Sequence, residues 1–438
     1  MDIRKAFTSS FYDLDMRLTT VAFLKQNISP FYRLSTFFDD DFYQSCKITP
    51  QQLPEKPHKN RNPKQWTEAR LFLSRLSKLE VQYHNLPKKE VVRFMYECLG
   101  KVKVNKENAK IVVDAVLEAD KKREFGLGLF RLELYVADIL DGTCSPTSKP
   151  KILNSTECSA WVDGQNALGP IVGKYCMNLA IKKAMKHGIG IVVANHSNYI
   201  GRCGYYTKMA MEKNMIGITF TNTAHVLCPT RAKKTFFGWN PVAIAAPSLT
   251  KKNNLMVEVM STAITMRQMI SCMSMGLEIP FNTAMNAAGH VTTDPKEALA
   301  DGCILPLGGI EETGGYKGYG MAIFCEILCG ILADSSFGRA IKRADEMSIE
   351  PSNFGHCFIV VNPNFFSLKF KKSMSIFAAT LRRLQPIDES EPVVFPGDYE
   401  KFMQSYVSSG QGLRYRLVEI MAAYQLSCLL SVPPIKLK

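Results

Sequence analysis

The chain has 438 residues, 46% of them hydrophobic and 21% charged, with a formal net charge of +14. This is ordinary globular composition, long enough to bury a large core and to divide into two or three domains. Residues 1–110 hold 20 Lys/Arg against 12 Asp/Glu, but the basic residues are scattered and no nucleic-acid motif accompanies them, which points to a solvated basic region rather than a nucleic-acid partner.

Residues 1–85 read as a basic extension. Within it, residues 49–62 (TPQQLPEKPHKNRN) have the Pro, Lys and Gln content of a linker. From Pro87 the pattern turns regular. Helical spacing predicts helices over 88–99 and 107–122, the second through Ile111, Val112, Ala115, Val116 and Ala119, with Asn105 as its N-cap. A helix over 170–187 ends at Gly188, and the β-branched run 189–194 predicts a buried strand. A helix at 205–213 and strands at 216–221, 242–246 and 256–260 follow. Beyond them lie a helix at 261–275, a glycine-dense loop at 305–320, a helix at 321–333, a strand at 356–361 and a helical stretch over 398–430. The alternation predicts an α/β domain around a mostly buried sheet.

The 13 cysteines include no CxxC pair, so buried free thiols are expected and no metal site. The most apolar run, 322–333, is short and interrupted by Glu326, so no membrane partner is expected. The start MDIRKAF, with Asp2, Asp13 and Asp15, speaks against a secretory signal. A cytoplasmic protein is expected, with a mitochondrial one as the alternative.

Three segments are candidates for chemistry. The loop LPLGGIEETGGYKGYG (305–320) surrounds Lys317 with six glycines. Glycines let a backbone approach a ligand closely, and Lys317 can meet a phosphate or carboxylate; a surface loop is the other reading. The segment NHSNYIGRCGYY (195–206) follows a strand and offers His196, Ser197, Asn198, Tyr199 and Arg202, where α/β folds commonly place binding groups; an ordinary turn is the alternative. TNTAHVLCPTR (221–231) follows the next strand and is similarly polar. Arg131 is a candidate carboxylate clamp or a surface arginine. No GxGxxG follows a strand, so a Rossmann domain is not supported.

Several stretches in one order resemble the malate/L-lactate dehydrogenase family. They are VDGQNALGPIVGKYCMNLAIKKAMKHGIGIVV (162–193), GRCGYY (201–206), GITFTNT (217–223), GWNPVAIAAP (238–247), TTDPKEALADGCILPLGG (292–309), GYKGYG (315–320) and HCFIVVNPNFF (356–366). The resemblance covers about residues 90–405. It implies a non-Rossmann NAD(P)-binding α/β fold with a helical N-terminal region, in four parts: the extension 1–85, a helical substrate-side region 86–165 with C-terminal helices, a cofactor-binding domain 166–395 and a helical C-terminal segment 396–438. It implies a homodimer and reversible hydride transfer between nicotinamide and a 2-hydroxy or 2-keto acid such as malate or lactate.

The resemblance also implies residue roles. Arg131 falls on the family's carboxylate-binding arginine, with Tyr135 beside it on the substrate side. Thr223, Lys317 and Gly318 fall on the cofactor side, and Gly397, Asp398 and Tyr399 near its adenosine end. An acid there suits NAD better than NADP. The family's catalytic histidine position is Tyr199, and its serine–histidine–glycine element is Gly126, Leu127 and Gly128. A tyrosine whose pKa is lowered by Lys317 or Arg202, or His196 or His225 in its stead, is one outcome of these departures. A catalytically impaired pseudoenzyme that still binds cofactor or a carboxylate is the other.

Overall fold

The computed structural model describes residues 83–124, 126–274, 276–341, 350–407 and 412–436. The extension expected over 1–85 falls outside the described residues up to residue 82.

A short strand, β1 (Tyr83–Leu86), leads into α1 (Lys88–Lys101). Val91, Phe94, Met95, Cys98 and Leu99 recur at helical spacing on α1 and all are buried. Asn105 caps α2 (Lys106–Lys121), accepting the Asn108 N–H at 2.9 Å and satisfying a donor that the first turn leaves open. A 3-10 turn, Leu129–Arg131, passes into α3 (Leu132–Leu140). Then come β2 (Lys151–Ser155), β3 (Ser159–Asp163), α4 (Gly169–His187), β4 (Ile189–Ser197), α5 (Cys203–Glu212), β5 (Ile216–Thr221), β6 (Val242–Ala246) and β7 (Leu255–Val259). A small lobe holds α6 (Met266–Ser274), β8 (Ala284–Met285), β9 (Val291–Thr292), α7 (Pro295–Ala300) and β10 (Cys303–Ile304). The chain continues through α8 (Gly315–Glu326), whose end passes into a π-helical stretch, Ile327–Ile331. It finishes with β11 (Phe354–Val361), α9 (Phe370–Arg382), α10 (Asp398–Tyr406), β12 (Leu413–Arg416) and α11 (Leu417–Leu430).

The large sheet has the order β2-β3-β4-β11-β5-β6-β7. Only β3 and β4 run parallel; the other neighbours in it are antiparallel. Period-2 alternation splits the strands between two cores. Val192, Ala194, Phe358 and Val360 face a core shared with α1, α2, α4 and α11, while Val193, Phe220 and Cys357 meet Cys325, Cys329 and Ala333 on the other side. Both faces are therefore covered, as the apolar runs of β4 and β11 require. Among the described residues no helix is long and apolar enough to cross a membrane.

Four expectations are corrected. The sheet begins inside the interval assigned to the helical region 86–165, because β2 and β3 join β4. The helix expected from 261 starts at Met266, since the Ser261 and Ala263 N–H groups bond to Trp239 and Leu305. The segment 396–438 is not helical throughout: β12 interrupts it and pairs with β1, Tyr83 opposite Arg416. Not every buried thiol is free, because Cys228 and Cys303 form a disulfide where the loop after β5 lies beside β10.

One buried carboxylate joins the two ends of this unit. Asp120, at the end of α2, accepts the Tyr415 hydroxyl of β12 at 2.8 Å. Tyr415→Phe leaves that acceptor short of a donor in the core. Its expected cost is about 1–3 kcal/mol of unfolding free energy in urea melts; a loss within measurement error would show that the bond contributes nothing.

Candidate active site

The same Asp120 also accepts the Leu129 N–H, at 3.1 and 3.2 Å to its two oxygens. This pins the 3-10 turn from which Arg131 projects. The Arg131 Nε–H donates to the Gly126 carbonyl at 2.9 Å, and the guanidinium lies 4.9 Å from the centre of the Tyr199 ring. Tyr135, one helical turn after Arg131, is buried with its ring 6.3 Å from that of Tyr199. Three of the residues singled out in the sequence thus meet: Arg131, Tyr135 and Tyr199.

Tyr199 is placed by the loop that leaves β4. Gly169, the first residue of α4, donates its N–H to the Asn198 side chain, and a Cβ there would collide with the Tyr199 carbonyl. The helix end can press against this loop only because residue 169 lacks a side chain. Burial raises the Tyr199 hydroxyl above its usual pKa, with Arg131 and Arg267 opposing and Glu258 adding to the rise. The expectation of a tyrosine acidified by Lys317 or Arg202 does not hold. Arg202 is engaged by Glu124 and Glu258, each at 2.8 Å, and Lys317 sits on another element.

That pairing belongs to a cluster of buried charge. Glu258 also accepts the Cys203 N–H at 3.0 Å, fixing the start of α5. Two carboxylates share one guanidinium here, and burial pushes Glu124 up to about 7, opposed by Arg202 and reinforced by Glu258. Burial likewise brings Lys122 down to about 8. Its ammonium lies 3.7 Å from Glu118, which also takes Lys208 at 2.9 Å.

The remaining candidates lie elsewhere. His196 is exposed at a positive φ of 44° and bonds Asp163 at 3.0 Å, outside the Arg131–Tyr199 group. His225 bonds Thr235 at 2.8 Å on the loop after β5. Thr223 is buried, its N–H donating to Asn240 at 3.0 Å, and Asn240 in turn donates to Glu326 at 2.9 Å. Lys317 is exposed in the first turn of α8, its ammonium 5.7 Å from the centre of the Tyr316 ring. Gly318 packs against the backbone of Leu307. Gly397 caps α10 at a φ of 99°, and Tyr399 is exposed. Asp398 is held by Arg382 at 2.7 and 2.8 Å and by Lys401 at 3.4 Å. The Arg382 bond leads in bringing its carboxyl down to about 2.

A family model described as malate/L-lactate dehydrogenase matches residues 86–415. The chain belongs to that family. It is 34% identical to a malate dehydrogenase of Pyrococcus horikoshii over 323 residues, 73% of this chain and 88% of the relative. It is 33% identical to an L-sulfolactate dehydrogenase of Methanocaldococcus jannaschii over 311 residues, 70% of this chain and 87% of the relative. The crystal structure of a malate dehydrogenase from Entamoeba histolytica superposes with a TM-score of 0.76 at 30% identity, covering 80% of this chain and 99% of that one. The α/β fold is thus that of malate and sulfolactate dehydrogenases, and the chain is an oxidoreductase of a family that acts on hydroxy acids with NAD(P)-type cofactors.

Sequence reading missed Asp120, Glu124, Glu258, Arg267 and His356. A single charge inside the apolar strand LMVEV was a signal for Glu258. His356 offered none beyond its strand position; it is fully buried between Ser197 and Thr221, each at 2.8 Å, and burial brings it down to about 3.

The charge cluster makes stability pH-dependent in a defined direction. The Glu124 carboxyl sits above its ordinary value of 4.5 in the folded protein, so folding is favoured while it is protonated. That contribution is present below about pH 4.5 and is lost as pH rises through about 7. Glu124→Gln is expected to lose less stability than the unsubstituted protein between pH 5 and pH 8. Parallel stability curves over that window would refute it.

Proposed function

We propose that the chain interconverts a 2-keto acid and its 2-hydroxy acid by nicotinamide-dependent hydride transfer, on small acids such as malate or lactate. The observation that carries this reading is the Arg131 guanidinium over the Tyr199 ring with Tyr135 alongside. The Gly126 carbonyl fixes Arg131 through Nε, and in this reading the guanidinium so positioned meets the carboxylate of the acid. Tyr199 then stands beside the reacting carbon with a neutral phenol, because burial raises its pKa. A neutral phenol donates: it hands its proton to the carbonyl oxygen as that oxygen becomes a hydroxyl. A bound nicotinamide supplies or accepts the hydride.

Lys317 fits the phosphates of such a cofactor, being an exposed cation one turn from Gly320, where an added Cβ would point into open space. Thr223 and Gly318 line the same side in this reading. Asp398 fits less well as a ribose ligand, since Arg382 and Lys401 already occupy its carboxylate. The charge argument for NAD over NADP therefore loses its basis, and we retain NAD as the first nucleotide to try.

The test is direct. NADH titrated by fluorescence is expected to bind, and a panel of 2-keto acids with NADH or NADPH to show turnover. Tyr199→Phe is expected to lower kcat/KM by about 10²- to 10⁴-fold with NADH binding unchanged. Absence of nucleotide binding would end this reading. Binding without turnover would favour an impaired family member that only holds ligands, which the lack of polar side chains at Gly126 and Leu127 supports.

We also propose a homodimer. Tyr316, Phe324, Ile327 and Ile331 recur at helical spacing on α8 and its π-helical continuation, and all are exposed. An apolar stripe of this extent on a soluble surface calls for a partner. Light scattering is expected to give twice the chain mass, and Ile331→Asp to shift it towards the monomer; a monomeric parent protein would remove the proposal.

A further inference from the structure

Cys228 and Cys303 are the one joined pair among the described cysteines. Ten others are free, eight of them buried. The fold leaves its interior thiols unpaired as a rule and departs from the rule at one place. Both partners are buried, with their Cα atoms 5.9 Å apart, within the range a disulfide spans.

Cys228 lies at the end of the segment that carries Thr223, and the surface turn with the exposed Arg231, Lys233 and Lys234 begins just after it. Cys303 opens β10, from which the glycine-rich loop departs. The backbone joins these two segments independently of sulfur. The Cys228 N–H donates to Ile304 at 3.1 Å, and the Ile304 N–H to Val226 at 3.0 Å. Arg231 meets Glu311 across the same gap at 2.6 and 2.7 Å, exposed to solvent. These bonds hold the sulfurs near one another as thiols, so closing the bridge needs no rearrangement of the chain.

From Cys303 the geometry runs on to Lys317. The Leu307 N–H donates to Ser261 at 2.7 Å, and the Leu307 carbonyl accepts the Gly318 N–H at 3.2 Å. A Cβ on Gly318 would collide with the Leu307 backbone. The first turn of α8, with Lys317, is therefore seated on the segment that the disulfide anchors.

We propose that Cys228–Cys303 is a reversible redox site. Closed, it fixes the loop after β5 to the base of the Lys317 loop. Open, it leaves the two segments joined by backbone bonds and an exposed ion pair, which holds little. Oxidation joins the two sulfurs while a low-molecular-weight disulfide is cleaved to two thiols, which take up the two protons and two electrons; a dithiol reverses the step. Local opening of the surface turn after Cys228 admits the reagent. The consequence for binding rests on the function proposed above: a closed tie leaves less of the Lys317 side to be ordered by a nucleotide, and so tightens NADH.

The full chain is prepared with oxidised glutathione and, separately, with dithiothreitol, both without denaturant. Mass spectrometry after thiol alkylation follows Cys228 and Cys303, and amide hydrogen exchange follows Cys228, Ile304 and Leu307. Reduction is expected to speed exchange at these amides by about tenfold or more while β4 and β11 hold steady, and oxidation to restore it. NADH is expected to bind the oxidised form roughly 3- to 10-fold more tightly. Cys228→Ala and Cys303→Ala are each expected to behave as the reduced protein in either buffer, whereas Cys428→Ser, at an exposed free thiol, keeps the response. A bond that opens only on unfolding, thiols that stay free under the oxidant, or equal exchange in the two forms overturns the proposal. Equal, measurable NADH affinity in both forms overturns the control of binding. No NADH binding in either form strikes instead at the hydride transfer proposed above, while the exchange data still decide the redox site.

Discussion

The candidate site depends on one buried carboxylate. Asp120 accepts the hydroxyl of Tyr415 and the N–H of Leu129, and burial pushes its pKa up to about 7. An acid so placed serves as a joint rather than as a surface charge. It ties the end of α2 to a strand nearly three hundred residues later, 295 by separation, and it fixes the turn that aims Arg131. That joint acts together with the Gly126 carbonyl and the Tyr199 ring in orienting the Arg131 guanidinium. The rigid turn is what converts a common residue type into a directed cation, since pre-organised donors lose less on meeting their ligand.

A second layer of charge stands behind the first. Glu258 acts on Tyr199, yet it spends most of its charge within a cluster with Arg202, Glu124 and Lys122. Desolvating these ions costs free energy that a well-packed apolar set would not. What the arrangement achieves is geometric: Glu258 holds both the Arg202 side chain and the Cys203 N–H, which fixes the entry to α5 and the loop carrying Tyr199. Removing Glu258 would leave the Arg202 side chain and the Cys203 N–H short of an acceptor in the same low-dielectric space.

The fold was largely legible from sequence, for a physical reason. β4 and β11 are covered on both faces, so their β-branched runs stand out, and α1 and α2 carry regular apolar stripes. The misreadings occur where long-range partners override local pattern. Ser261 and Ala263 could begin a helix, but their N–H groups are taken by Trp239 and Leu305. The LRYR of β12 could continue one, but it pairs with β1. In the site, Arg131, Tyr135 and Tyr199 were found through family resemblance. Asp120 and Arg267 were not, because what defines them is which backbone they touch, and no spacing encodes that. Asp398 looked like a ribose ligand in sequence; its pairing with Arg382, 16 residues away, shows only in three dimensions.

Under the proposed hydride transfer, a tyrosine at position 199 in place of a histidine has a directional consequence. An imidazole titrates near neutral pH and can both give and take a proton. A phenol whose pKa burial has raised gives one readily in the neutral range but is a poor acceptor there until it has been emptied. Reduction of a keto acid needs a donor at the carbonyl oxygen, whereas oxidation of a hydroxy acid needs an acceptor at the same place. Arg131 narrows this asymmetry only in part, since its field favours the phenolate while the surrounding burial opposes it more strongly. Under the proposed function, a site built this way favours reduction at neutral pH, and oxidation gains as the solution becomes alkaline enough to deprotonate the tyrosine.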